Sequence, residues 1–153
     1  EKPYKDNGLY QAFDLGVTKH AAVNSSGRFI EFPISRPDRY WQKKISVLQQ
    51  RMSKCRRKSR RWLKLHKKYK LLHRRYSNQL KDFQHKLSNK LINNTKANTI
   101  IIGKLPTKAI GQNKNTSRIL HKSLQNTGTI SRFVRFLTYK ATLTGKRVIE
   151  INE

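Results

Sequence analysis

Apolar residues in the first 33 positions occur in short runs of the length and alternation typical of β-strands. A Ser25-Ser26-Gly27 turn separates the second run from the third. The spacing predicts an antiparallel meander of three strands, which Pro33 is expected to end because proline cannot donate to a β-ladder. The predicted strands cover residues 9–13 (LYQAF), 20–24 (HAAVN) and 28–32 (RFIEF).

After residue 37 the apolar period changes to three or four, as on one face of an α-helix. Asp38 is the expected N-cap of a first helix with an apolar stripe from Trp41 to Cys55. A second stripe runs from Trp62 to Leu91 without Gly or Pro. The two stripes predict an antiparallel helical hairpin with its turn inside the basic run 54–61 (KCRRKSRR).

Three further elements complete the chain. Residues 98–102 (NTIII), bounded by Gly103, form a continuous apolar run that is typical of a central strand. A helix is expected from an N-cap at Thr129 to about Leu143, where Gly145 stops it, and residues 147–152 (RVIEIN) read as a last strand. The order of elements indicates one α/β domain over residues 1–153, with a mixed sheet and helices on its faces.

The charge of the chain indicates a polyanionic partner. Lys and Arg number 35 against 8 Asp and Glu, a net charge of +27, and 19 of the cations lie between Arg39 and Lys90 with Asp82 as the one acid there. Such an excess cannot be balanced locally, which favours contact with the phosphates of nucleic acid. The candidate nucleic-acid-binding residues are Lys54, Arg56, Arg57, Lys58, Arg60, Arg61, Lys64, Lys67, Lys68, Arg74 and Arg75.

Several other classes of site and location are disfavoured by composition. Cys55 is the single cysteine, which excludes an internal disulfide and a cysteine-based zinc site within this chain. No apolar run approaches the roughly 20 residues of a membrane span. No signal segment is present at the N-terminus, so a cytoplasmic location is expected. The chain starts at Glu1 and ends at Glu153, and we expect it to be a fragment of a longer protein; the oligomeric state stays open.

Asp14 is the candidate catalytic and metal-binding residue, and two readings of it are open. It follows an apolar strand and precedes Gly16, where an aspartate often accepts hydrogen bonds from turn N–H groups. A carboxylate at the end of a buried strand can also hold a metal ion, since burial without a partner is costly. Spacing alone favours the turn.

Several colinear segments resemble the TnpB family, the accessory proteins of bacterial and archaeal insertion sequences that are related to type V CRISPR effector nucleases. Residues 13–23 (FDLGVTKHAAV) look like the first RuvC motif of that family. Residues 79–88 (QLKDFQHKLS) resemble the segment before its second RuvC strand, and residues 100–105 occupy the place of that strand. Residues 132–141 (RFVRFLTYKA), followed by 145–148 (GKRV), look like its next helix and strand.

The resemblance implies an RNase H-like (RuvC-like) mixed sheet with the long helical hairpin inserted at about residues 38–94. It also implies a nuclease centre in which Asp14, a Glu after the fourth strand and a late Asp hold two Mg²⁺ ions. Here Gly103-Lys104 stands where the family usually offers the second acid, and the late Asp and a zinc ribbon would follow Glu153. Glu150 is expected to lie too far away to substitute, two strand spacings from Asp14.

Three functional interpretations remain open. The chain is a module that holds guide RNA and DNA without cutting, or it is the RuvC-like half of an RNA-guided DNA endonuclease whose missing acids come from residues outside it. A ribosomal-type RNA-binding protein would explain the charge but leaves the colinear motifs unexplained. The substitution at Gly103-Lys104 favours the binding module for these 153 residues.

Overall fold

The computed structural model describes residues 2–16, 19–33, 35–104 and 130–152. These residues divide into two compact units, one formed by the described parts of 1–34 and 84–153 and one by residues 35–83. We call them the sheet unit and the helical unit. The elements in chain order are β1 (Tyr10–Leu15), β2 (Lys19–Asn24), β3 (Phe29–Pro33), α1 (Pro37–Ser53), α2 (Arg60–Asn94), β4 (Thr99–Lys104), α3 (Ile130–Leu143) and β5 (Arg147–Asn152).

The five strands form one mixed sheet in the order β3-β2-β1-β4-β5. Strand β2 pairs antiparallel with β1 and β3, whereas β4 pairs parallel with β1 and β5. The meander and the mixed sheet predicted from the sequence are therefore confirmed. Parallel neighbours cannot be joined by a tight turn, and the helical segments supply the longer connections.

Strand boundaries differ from the prediction by one or two residues at several ends, and three of the differences change an interpretation. Asp14 lies inside β1 opposite Ala21, so the turn interpretation of Asp14 is wrong. Pro33 belongs to β3, which lies at the edge of the sheet among the described strands, and an edge strand tolerates a missing N–H on its unpaired side. Gly103 does not bound β4 but lies within it, opposite Ile151.

Helix α1 starts earlier than predicted. Its first residue is Pro37 and its N-cap is Arg36, so Asp38 is not the cap. Both carboxylate oxygens of Asp38 instead accept hydrogen bonds from the Arg36 guanidinium at 2.9 Å, and this pairing lowers the pKa of Asp38. Proline at the start of a helix and an acid in its first turn are each favourable, which explains the observed boundary.

The core of the sheet unit lies on one face of the sheet. Leu15 of β1 and Ile100 of β4 pack there with Ile92 of α2 and Leu137 of α3, and all four are almost fully buried. Leu87 and Leu91 pack against the same cluster. The C-terminal part of the α2 stripe thus covers the sheet, whereas its spacing had predicted that the whole stripe belongs to the helical hairpin.

The end of α3 confirms the stop predicted at Gly145. Gly145 has a φ of 76°, and the N–H of Lys146 donates to the carbonyl of Ala141 at 2.8 Å while the N–H of Gly145 donates to Thr142. These two bonds form a Schellman motif, in which glycine takes the left-handed position without a Cβ penalty. No helix in the described ranges is both long enough and apolar enough to cross a membrane.

His20 is a buried imidazole in the sheet unit. It is 5% exposed and its ring stacks parallel to that of Phe133, with centroids 5.2 Å apart. Burial lowers the pKa of His20 from 6.5 to about 4, and the charge of nearby Asp14 only partly opposes that shift. Folding therefore keeps this imidazole neutral at pH values where an exposed histidine is protonated.

We predict an acid-sensitive stability that depends on His20. Between pH 6.5 and about 4 the unfolded chain binds a proton at His20 that the folded chain does not bind. The free energy of unfolding should therefore fall by up to about 3 kcal/mol as the pH drops through this window. Above the window, His20 should add no pH dependence to that free energy. Urea unfolding midpoints of the wild-type chain and His20→Gln at about pH 7 and about pH 4.5 measure the loss, which the variant should lack.

The exposed His73 offers the matched control, and His73→Gln should keep the wild-type loss. An equal loss of stability in His20→Gln would assign the acid sensitivity to other groups.

Candidate nucleic-acid interface

The turn between α1 and α2 positions the most basic stretch of the chain. It spans residues 54–59, inside the predicted run, and Lys58 has a positive φ of 66°. Ser59 Oγ accepts a hydrogen bond from the backbone N–H of Trp62 at 3.2 Å. This is the geometry of a serine N-cap, which satisfies a free donor of the first helical turn and starts α2 at Arg60.

All eleven predicted cations are exposed. Six of them lie in or beside the turn and form what we call the basic turn: Lys54, Arg56, Arg57, Lys58, Arg60 and Arg61. The first turn of α2 contains no acid, although partial positive charge at a helix N-terminus favours one. Within the described ranges, none of the eleven forms an ion pair with a carboxylate. The basic turn therefore presents positive charge that an anionic partner would neutralise.

The remaining predicted cations follow the basic turn along α2. Lys64, Lys67 and Lys68 are exposed in the next turns of the helix, and Arg74 and Arg75 are exposed further on. Six more exposed cations of the same unit were not among the predicted residues: Arg39, Lys43, Lys44, Arg51, Lys70 and Lys81. These residues could have been predicted from the charge excess of residues 39–90 as a whole, because that excess includes cations outside the contiguous basic run.

Four aromatic residues of the helical unit face its interior more than solvent, whereas Tyr40 is 58% exposed. Trp41, Trp62, Tyr69 and Tyr76 are each half-buried, and Trp41 Nε1 donates to Gln79 Oε1 at 2.8 Å. The ring of Trp62 stacks on that of His66 with centroids 4.5 Å apart. Because these four residues are half-buried inside the unit, they are poorly placed to stack on bases.

Asp14 lies on the face of the sheet opposite the core. The carboxylate is exposed, whereas its neighbours Phe13 and Leu15 are buried in the core. The alternation of side chains along β1 explains this placement. Asp14 is thus accessible to a ligand, and its charge acts on His20.

The strand register shows which residues accompany Asp14. Phe13 pairs with Ile102, so the next step of the parallel ladder brings Gly103 beside Asp14 on the adjacent strand. Ile102 also pairs with Glu150, which places Glu150 in the row of Phe13 and on the opposite face from Asp14. Strand alternation, in addition to distance, therefore separates Glu150 from Asp14.

The described residues do not fit a two-ion metal centre. Within those ranges, no three His, Cys, Asp or Glu side chains are grouped as metal ligands. Mg²⁺ gives up its waters reluctantly and needs several anionic oxygens to stay bound, whereas the register supplies Asp14 alone.

Comparison with known proteins connects this geometry to a family. The family model OrfB_IS605, described as a probable transposase, matches residues 2–122. The chain belongs to this family. Three TnpB-like proteins of Acanthamoeba polyphaga mimivirus are each 35% identical to it over 98 residues, which is 62% of this chain. The TnpB-type relationship predicted from the sequence motifs is confirmed.

Solved structures show the same fold. A Cas12f1–sgRNA–target DNA complex contains a chain that matches 99% of this one with a TM-score of 0.57 at 14% identity. A CRISPR–Cas12f ternary complex matches 100% of it with a TM-score of 0.62 at 13% identity. The likeness fits a RuvC-like fold. The chain spans 18% of the length of the mimivirus relatives and 30% of each Cas12f chain.

The backbone of the basic turn predicts a stabilising substitution. A positive φ costs an L-residue roughly 1 kcal/mol, so Lys58→Gly should raise the free energy of unfolding by about 0.5–1 kcal/mol. Lys54→Gly removes the same charge at an ordinary φ of −81° and should lower that free energy instead. Thermal unfolding at high ionic strength compares the two variants, and equal destabilisation by both would show that Lys58 is not strained.

Proposed function

We propose that this chain is the nucleic-acid-binding, RuvC-like part of a TnpB-type RNA-guided DNA endonuclease. In this proposal it binds guide RNA and DNA through phosphates, and these 153 residues alone do not cleave. The observation that carries the proposal is the exposed, uncompensated positive charge of the helical unit in a member of the OrfB_IS605 family.

Charge and exposure support nucleic acid as the partner. The predicted cations are exposed over a stretch of helix that includes one acid, Asp82. Each phosphate that such a cation neutralises releases a counterion, which gives affinity without base-specific contacts. The Cas12f chains of similar fold are described in complexes with sgRNA and target DNA, and we extend that partner class to this chain.

We further propose one RuvC-like domain over residues 1–153, with α1 and the N-terminal part of α2 acting as an inserted helical hairpin within about residues 38–94. Contacts between the helices support this arrangement. Trp41 donates to Gln79, and the side chain of Gln49 donates to the hydroxyl of Tyr69 at 3.5 Å. Residues near the two ends of α1 therefore meet α2 in reverse order along the chain, as in an antiparallel pair.

The salt dependence of binding tests the phosphate contacts. On duplex DNA each neutralised phosphate contributes about −0.9 to the slope of log K against log salt. Glutamine at Arg56, Arg57, Lys58, Arg60 and Arg61 should flatten this slope by several units. Fluorescence anisotropy with labelled duplex DNA and single-stranded RNA, at five or so salt concentrations, measures it.

A variant with the same charge loss in the sheet unit is the matched control. It carries glutamine at five exposed cations outside the basic turn: Lys2, Lys5, Arg28, Lys96 and Arg147. If this variant flattens the slope as much as the basic-turn variant does, binding follows net charge and the basic turn is not the interface.

The carboxylates available support the expectation that these residues alone do not cleave. Two-metal phosphodiester hydrolysis needs ions about 3.5–4 Å apart that share several carboxylates. Asp14 has Gly103 beside it on β4, and Glu150 lies on the other face. We therefore expect no Mg²⁺- or Mn²⁺-dependent nicking of single- or double-stranded DNA by the purified chain.

Two variants make the cleavage test decisive. Gly103→Glu restores a second carboxylate beside Asp14 and should still give no product, because a third is lacking. If the wild-type chain nicks DNA and Asp14→Ala abolishes the nicking, these residues form an active nuclease. If nicking appears only on addition of the C-terminal part of a TnpB-like relative, the second interpretation holds, in which acids from outside the chain complete the centre.

A further inference from the structure

An apolar groove lies between α1 and α2 in the helical unit. Its volume is about 380 Å³, and its lining consists of Lys44, Val47, Leu48, Lys68, Leu71 and Leu72. Polar groups are confined to the two lysines. The groove is separate from the basic turn, which lies beyond the end of α1, and it shares Lys68 with the eleven predicted cations.

Two apolar side chains of the groove remain open to solvent. Val47 and Leu71 are each 47% exposed, while Leu48 and Leu72 are half-buried. Apolar side chains that are exposed singly are ordinary, but here two from neighbouring helices line one concavity. Covering them would remove apolar surface from water, which is favourable for any partner of matching shape.

The charge at the rim restricts the chemistry of that partner. Lys44 lines the groove from α1 and Lys68 lines it from α2. The ammonium of Lys44 lies 4.2 Å from the centre of the Tyr40 ring, a contact that holds it near the surface. The only acids of the helical unit are Asp82 and Asp38, and Asp38 is paired with Arg36. A partner needs negative charge on both sides of its apolar surface.

We propose that this groove binds an amphipathic α-helix of a protein partner, with an apolar stripe flanked by Asp or Glu. A concave apolar groove between two helices accepts the apolar face of a third, read by residues three and four apart. Nucleic acid does not suit the groove floor. Phosphates and sugars would lose hydrating water there, and apolar side chains offer no hydrogen bonds to replace it. A second copy of this chain would bring another +27 charge to the contact.

A peptide-binding experiment on the whole chain tests this proposal. The probe is a helical peptide of about 20 residues with a leucine stripe and glutamate flanks. A peptide of equal composition and charge, with the leucines dispersed around the helix, separates groove binding from attraction to a cationic protein. The striped peptide should bind at least about tenfold more tightly in fluorescence anisotropy.

Variants of the protein locate the contact. Val47→Gln with Leu71→Gln should weaken the striped peptide about tenfold, because both substitutions remove apolar contact area. Leu63→Gln is the matched control on α2, since Leu63 is 52% exposed and does not line the groove. Lys44→Gln should weaken binding of the striped peptide more than Lys43→Gln does. The second substitution removes an equal charge from the same helix. Far-UV circular dichroism confirms that each variant stays helical.

Five outcomes would overturn the proposal. Equal affinity for the striped and dispersed peptides would show that the apolar stripe does not bind in the groove. Equal loss of peptide affinity in Leu63→Gln and in the double variant would show the same. Loss of duplex DNA or RNA binding in the double variant, with peptide affinity retained, would assign the groove to nucleic acid. If the double variant keeps its peptide affinity but loses binding to phosphatidylglycerol vesicles, the groove binds a lipid surface. If it keeps its peptide affinity but loses self-association in sedimentation, the groove binds a second copy of the chain.

Discussion

Burial of strand β4 is the interaction on which the sheet unit depends. Ile100 and Ile102 are almost fully buried under side chains of α2 and α3, and β4 is the strand that pairs parallel on both sides. Parallel strands require helical connections that cover the sheet, so the long α2 and the shorter α3 follow from this pairing. Ser88 and Lys140 add a polar contact between these helices at 2.8 Å.

The molecule uses its cations in two different ways. Lys146 donates to the carbonyls of Thr95 and Ala97 just after the end of α2, and burial lowers its pKa. There a cation satisfies carbonyls that have no helical partner. The cations of the basic turn have no such internal use, because that unit offers them neither free carboxylates nor a buried site. Their mutual repulsion opposes folding and is reduced when a polyanion binds.

The sequence predicted the element order well because periods of two and of three to four differ over even short runs. It could not assign the C-terminal part of the α2 stripe, since Leu87 and Leu91 show the same spacing whether they face α1 or a sheet. Asp38 was misplaced because its capping role competes with pairing to Arg36, which pattern does not reveal. The basic turn was found from sequence because local charge needs no tertiary information, whereas the groove at Val47 and Leu71 depends on how two helices pack.

The strand register determines which residues of the neighbouring strands can lie beside Asp14. Spacing along the chain put Glu150 two strands away, yet distance alone leaves room for a bend to bring it closer. Side-chain alternation leaves no such room, because Phe13, Ile102 and Glu150 share one row and Asp14 falls in the next. Moving Glu150 to the Asp14 face would require a one-residue slip of β5, which would also turn Val148 out of the core. The sheet core and a Glu150 ligand are therefore incompatible, and Gly103 is the position in β4 at which an acid would meet Asp14.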